Sequence, residues 1–199
     1  MFNVSAILIA AGESTRMGGP KALMSWQEDT LLSYQIKSLI DAGVSKVVVV
    51  LGHNADQLKP YVIKADNVLC IVNEQYSLGK TTSIKAGLKG IGNETEAILI
   101  LAVDQPRTPA IISEVIASHR RMHALITSPR YDGHGGHPLI FSVKLKRNLE
   151  EITEELQGVR EIFQSHLGQI NQVEIDDPMI SLDMNTVEVY NGAKEFYNA

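Results

Sequence analysis

The sequence predicts an α/β fold with a mostly parallel central sheet and helices on both faces. Three observations predict it. Apolar runs of strand length recur without polar interruption, as in strands buried on both sides. Segments with apolar residues at helical spacing stand between them. The two kinds alternate over most of the chain, strand then helix, which is how a parallel sheet is connected.

Val4–Ala10 is the first buried strand, and a loop rich in Gly and Ser covers 11–20. Asp29 or Thr30 caps a helix with the stripe Leu31, Leu32, Gln35, Ile36, Leu39 and Ile40, and Gly43 stands just past its end. Lys46–Leu51 holds four consecutive valines and is the plainest strand. A short helix over 55–63, a strand at Val68–Val72 and a helix at Lys80–Leu88 follow. Residues 97–103 form the next buried strand, ending in Asp104-Gln105-Pro106. Thr108 caps a helix with Pro109 at its first position, where the missing N–H costs nothing. The later part is less regular. Strands are expected at 124–128 and 138–142 around a loop at 130–137, then helices near 143–156 and 159–167, a strand at 172–175 and a terminal helix at 186–197.

With no repeat, low-complexity tract or dividing linker, one domain over 1–199 is expected. The 199 residues suffice for a core without disulfides, and 44% apolar with 21% charged residues sets disorder aside. A net charge of -5 argues against a nucleic-acid partner. Cys70, the only cysteine, lies in an apolar run and reads as a buried, inert thiol. The apolar stretch at 4–11 is too short for a membrane span and lacks a basic flank, so a cytoplasmic protein with no membrane contact is expected.

Ligands bind open parallel sheets beyond the carboxyl ends of the strands. Three segments of interest fall there: 10–21, 73–83 and 104–106. In the first, the small residues Ala10, Ala11 and Gly12 let backbone N–H groups approach an anion, with Ser14, Arg16 and Lys21 close behind. Arg16 offers a planar fork of donors for phosphate and Lys21 a point charge. The glycines at 12, 18 and 19 do not match the dinucleotide fingerprint, and a surface loop with incidental cations is the plain alternative.

Gly79-Lys80-Thr81 imitates the end of a P-loop, but Glu74 stands where that motif needs glycine. Asn73, Gly79 and Ser83 are read instead as part of a nucleotide-facing loop. Asp104, at the end of a buried strand, is placed to hold a hard cation such as Mg²⁺; capping the turn before Pro106 is the alternative. Asp183 and Asn185 stand two apart, so in an extended segment they point to one side and either can complete that site. Asn185 or Thr186 capping the last helix explains part of the same pattern. His119 and His123 share a helix face but lack a third zinc ligand. His134 and His137 sit among Gly133, Gly135 and Gly136, in a loop that shapes a pocket against a ligand.

The pattern Ala10-Ala11-Gly12-x-Ser14-x-Arg16-Met17-Gly18-x-x-Lys21 resembles the pyrophosphorylase-type motif of the MobA-like NTP transferases. Asn73…Gly79…Ser83…Gly87, Asp104-Gln105-Pro106, Gly133…Gly136-His137-Pro138 and Asp183-x-Asn185-Thr186 resemble its molybdopterin cytidylyltransferase branch, in matching order. The resemblance implies a Rossmann-like nucleotidyltransferase fold. It makes Arg16, Lys21 and Asp104 catalytic, with Arg16 and Lys21 on the NTP phosphates and Asp104 on Mg²⁺ beside Asn185 or Asp183. Ala10, Ala11, Gly12, Ser14, Asn73, Gly79 and Ser83 are then nucleotide contacts, and Gly136 and His137 acceptor contacts. The NTP-binding part is about 1–110 and the acceptor part about 111–199.

Ala11, where guanylyltransferase relatives have glycine, favours CTP as the partner nucleotide, with a small phosphorylated acceptor. Contact with a molybdoenzyme or its chaperone is implied as well. Two departures bear on the acceptor. Asp183-Met184-Asn185-Thr186 replaces an Asp-x-Asp-Thr-like form, and the segment at 156–160 is short against Gly-Asp-x-Gly-x-Arg. The rival readings are transfer to a sugar phosphate or other small metabolite, and a non-catalytic nucleotide-binding module.

Overall fold

The computed structural model describes residues 2–14 and 17–199. The strands are β1 (Val4–Ala10), β2 (Ser25–Trp26), β3 (Asp29–Thr30), β4 (Lys46–Leu51), β5 (Val68–Val72), β6 (Ala97–Ala102), β7 (Ile126–Tyr131), β8 (His134–Gly135), β9 (Leu139–Ser142) and β10 (Ile170–Glu174). The helices are α1 (Leu31–Asp41), α2 (Ala55–Leu58), α3 (Lys80–Leu88), α4 (Pro109–Met122), α5 (Lys146–Glu151), α6 (Val159–Ser165) and α7 (Val187–Tyr197). The main sheet has the order β10-β7-β9-β6-β1-β4-β5, with β8 paired to β7. Pairs β1–β4, β1–β6, β4–β5 and β7–β10 are parallel, while β9 runs against both β6 and β7.

The period of two along β1 sorts its side chains between two cores. Ala6, Leu8 and Ala10 face Leu32, Ile36 and Leu39 of α1, Ile112 and Val115 of α4 and Tyr190 of α7. Ile7 and Ile9 face Ile84 and Leu88 of α3, Leu149 of α5 and Ile162 of α6. Helices therefore cover both faces, and each fully buried aliphatic side chain contributes about 1.5–3 kcal/mol. Thr30 caps α1 by accepting the Ser33 N–H at 3.2 Å, and Thr108 caps α4 by accepting that of Ile111 at 3.3 Å.

Several expectations are corrected. Cys70 is exposed, not buried. It lies on β5, an edge strand, where Leu69 and Val72 are also 38% and 40% exposed. An apolar run records that a strand packs, not that it has neighbours on both sides. The helix expected over 55–63 shrinks to α2 and a 3-10 turn at Lys59–Tyr61, since Pro60 lacks the N–H a longer helix needs. Likewise 143–156 holds a 3-10 turn and α5 only, and 159–167 holds α6 alone.

The loop expected at 130–137 is partly sheet. Tyr131 pairs with His134 around Asp132-Gly133, whose φ values of 47° and 75° suit a tight hairpin turn. The last strand runs Ile170–Glu174 rather than 172–175. His119 and His123 do not share a face, because His123 is the left-handed residue that ends α4. His119 is buried against Thr127, its Nδ1 2.8 Å from Oγ1, and burial pushes its pKa down to about 4.

From β1 the chain moves to β4 and β5 on one side, then returns to lay β6 on the other. The sheet order thus switches direction between β1 and β6. At such a point the helices diverge and leave a crevice beyond the carboxyl ends of the strands.

Candidate active site

A cleft of about 260 Å³ fills that crevice. Ala10, Ala11, Gly12, Ser14 and Lys21 line it from the first loop, Gly79, Lys80 and Ser83 from the start of α3, and Asp104 from the end of β6. The first and third sequence segments therefore meet because β1 and β6 are parallel neighbours in register, Ile9 opposite Ala102. Arg16 lies outside the described residues.

Lys21 is the centre of the polar geometry. Its Nζ donates to Asp104 Oδ2 at 2.8 Å and to Asn185 Oδ1 at 2.7 Å. The Lys21 and Asp104 side chains are 13% and 19% exposed, so solvent screens the pair only in part. Ser14 braces this arrangement from behind, its Oγ accepting the Lys21 backbone N–H at 3.1 Å.

Asp104 and Asn185 thus converge two hard oxygens on one small cation. That donor chemistry fits Mg²⁺, which takes one or two protein oxygens and completes its shell with water and phosphates. Among the described residues no three His, Cys, Asp or Glu side chains form a metal cluster. The segment from Asp183 to Asn185 is turned, not extended. The Asn185 N–H turns back to the Asp183 carbonyl at 3.0 Å, and Asp183 Oδ2 lies 3.5 Å from Gln105 Nε2. Thr186, not Asn185, caps α7.

The glycines differ in what demands them. A Cβ on Gly12 would meet no atom within 4 Å, and its φ lies outside the left-handed region. Among the described residues no contact requires glycine there, and the space beside it is open to a ligand. Gly79 has φ 115°, and a Cβ on it would strike the Glu154 carboxylate, which accepts the Thr81 N–H at 2.6 Å at the start of α3. Gly136 is buried, and a Cβ there would strike the Ile180 carbonyl.

Asn73 sits behind the cleft wall rather than in it. It donates to Thr82 Oγ1 at 2.9 Å and Ser83 Oγ at 3.0 Å and accepts the Gln75 N–H at 3.0 Å. His137 also stands off the cleft lining; burial, with repulsion from Lys80 and Arg107, pushes its pKa down to about 3, so the ring is neutral at pH 7.

Sequence reasoning passed over Tyr76, whose ring lines the cleft and whose hydroxyl is 3.2 Å from His53 Nδ1. It treated Lys80 only as part of a false P-loop, and Gln35 only as one of an apolar stripe. Gln35 is fully buried on α1 and holds the turn after β6, donating to the Ala102 and Gln105 carbonyls and accepting the Arg107 N–H at 3.2 Å. A glutamine amid leucines and isoleucines was the available signal. Arg107 itself, fully buried, was missed.

The family described as the MobA-like NTP transferase domain matches residues 6–170. The molybdenum cofactor cytidylyltransferase of Escherichia coli (strain K12) is 30% identical, with 99% of this chain and 98% of that protein aligned. The nicotine blue oxidoreductase of Paenarthrobacter nicotinovorans is 28% identical, covering 93% of each. Among solved structures, Rv0371c from Mycobacterium tuberculosis H37Rv superimposes with a TM-score of 0.85 at 24% identity over 98% of both chains. Sheet order, cleft and sequence together assign the chain to the MobA-like NTP transferases, a family of nucleotidyltransferases with a Rossmann-like fold.

Proposed function

We propose that the protein transfers a nucleoside monophosphate, CMP in preference, from an NTP to a small phosphate-bearing acceptor such as molybdopterin, releasing pyrophosphate in a Mg²⁺-dependent reaction. The observation that carries this reading is the convergence of Asp104 Oδ2 and Asn185 Oδ1 on Lys21 Nζ in the cleft lined by Ala11 and Gly12. In the reaction an acceptor phosphate oxygen attacks the α-phosphorus in line, one P–O bond forms, and the bond to pyrophosphate breaks. A phosphate monoester with a second pKa of about 6 is already largely ionised at pH 7, so no strong base is required.

The residues then act by alignment and charge. Backbone N–H groups from Ala11 to Ser14 cradle phosphate oxygens, and Lys21 leaves Asp104 to neutralise the triphosphate, a charge that Arg16 shares. Asp104 and Asn185 would hold a Mg²⁺ ion, which would supply Lewis-acid neutralisation of the phosphates. Asn73 orients Ser83 toward the base, and the Gly79 backbone closes that side. The preference for a one-ring base rests on the family resemblance at Ala11. Residues 1–110 take the NTP and 111–199 the acceptor, with Gly136 and His137 shaping its site and Asp183 at its edge. Molybdopterin as acceptor would place the protein in the cytoplasm, in contact with a molybdoenzyme or its chaperone. The E. coli relative's name and Ala11 support CTP. Among the described residues no helix is long and apolar enough to cross a membrane.

The test incubates the protein with each NTP, Mg²⁺ and a panel of phosphorylated acceptors, following pyrophosphate and product mass. CTP with molybdopterin should give the fastest release, and Asp104→Ala should lower it by at least a hundredfold. Near-normal turnover by that variant overturns the role of Asp104. The oxidoreductase relative motivates a parallel measurement of reduced nicotinamide oxidation, which the reading expects to be absent.

A further inference from the structure

Arg107 is 1% exposed and forms no ion pair among the described residues. The hydrogen bonds of its side chain all go to backbone carbonyls among the described residues. Nε donates to His137 at 2.7 Å, Nη1 to Pro106 at 2.7 Å and Leu182 at 3.1 Å, and Nη2 to Ile180 at 2.7 Å and Leu182 at 3.1 Å. Each acceptor belongs to a segment that carries a candidate site residue: 104–106, 136–138 or 180–185. The same segments are also joined by the Met184 N–H to the Asp104 carbonyl at 2.9 Å, the His137 N–H to the Ile180 carbonyl at 3.3 Å and the Lys21 bridge from Asp104 to Asn185, while Met179, Ile180 and Met184 are buried in the core.

We infer that Arg107 is a positioning residue: its guanidinium fastens the C-terminal segment and the His137 loop to the turn after β6, and so sets the spacing between Asp104 and Asn185. Only arginine presents enough donors in one rigid plane to hold four carbonyls at once. Burial lowers its pKa to about 10, which leaves it charged at pH 7. With Arg107 in place, Asn185 stays within reach of the cation that Asp104 holds. Without it, four carbonyls from three segments lose their shared donor, and the acceptor side is free to drift from the nucleotide side.

The kinetic part of this inference rests on the proposed transfer reaction; the positional part does not. Hydrogen–deuterium exchange of the unaltered protein should show the amides of 180–185, Met184 above all, protected comparably to β7. Complete exchange there within seconds overturns the inference without any variant. In Arg107→Lys, exchange should rise at least tenfold at 136–138 and 180–185 and less than twofold in β1, β4 and β6. Binding of Mn²⁺ alone, read by electron paramagnetic resonance, should weaken at least fivefold. For pyrophosphate release, kcat should fall at least tenfold while KM for the NTP stays within threefold. Exchange that rises equally everywhere, or a folded variant with Mn²⁺ affinity and kcat within twofold of the parent, refutes the positioning role. A parent that forms no product with any NTP and acceptor refutes the transferase reading, and exchange still judges Arg107.

Discussion

Replacing Lys21 by Met keeps the aliphatic stem and deletes the ammonium. Asp104, 19% exposed, then loses a partner at 2.8 Å, and Asn185 loses its donor at 2.7 Å. Stranding one member of a buried ion pair costs about 3–5 kcal/mol and of an exposed one about 0–1, and this pair lies between, at about 2 kcal/mol. For a chain of this length that lowers Tm by about 5 °C. The same deletion frees two oxygens for a divalent ion. Binding that reaches a hundredfold excess over Kd stabilises by about 2.7 kcal/mol, enough to offset the loss. Thermal unfolding of parent and Lys21→Met, each in EDTA and in excess Mg²⁺, should therefore give a larger Mg²⁺-induced rise in the variant. Transfer should stay depressed by about a hundredfold or more even in Mg²⁺, because the phosphates have lost a cation. Equal Mg²⁺ shifts in the two proteins would refute the idea that the metal shares the oxygens that hold Lys21.

Gly12→Ala should leave folding stability unchanged or raise it by roughly 0.4–1 kcal/mol, since a Cβ there meets no protein atom within 4 Å and the unfolded chain loses freedom. Its NTP affinity, measured by calorimetry, should nevertheless drop at least tenfold; unaltered affinity would show that no ligand approaches Gly12. His119 supplies a pH prediction. The unfolded chain takes up its proton near pH 6.5, while the buried ring, with a pKa of about 4, resists. Stability from this group is thus complete above pH 6.5 and lost as pH falls toward 4, by about 3 kcal/mol in all. His119→Asn, which keeps a polar atom near Thr127, should lessen the slope of urea-unfolding stability over that window, His137 supplying a second contribution, and an unchanged slope would remove His119 as a cause.

The first half of the fold was legible because β1, β4 and β6 are buried on both faces, and an unbroken apolar run states that directly. The same logic misled at β5, where Val68–Val72 is as apolar as an inner strand but pairs on one side only. Past residue 125, antiparallel β9 and the short hairpin at Asp132-Gly133 interrupt the strand–helix rhythm, and periodicity gives little over elements of two to six residues. The meeting of Lys21 with Asp104 followed from both standing at carboxyl ends. Arg107 and Gln35 were harder to find, because their partners are backbone carbonyls and a carbonyl leaves no mark in a sequence.

Glycine shows most sharply what separates a readable site from an unreadable one. Gly12, Gly79 and Gly136 all stand in motif-like surroundings and invite one explanation, close approach of a ligand. At Gly79 a φ of 115° and at Gly136 the Ile180 carbonyl already require glycine within the protein itself. Selection for folding alone would keep them. At Gly12 the described residues make no such demand and leave room for alanine. Substitution at 79 or 136 would therefore confound folding with binding, whereas substitution at 12 separates them. Of the three, Gly12 alone reports on the ligand.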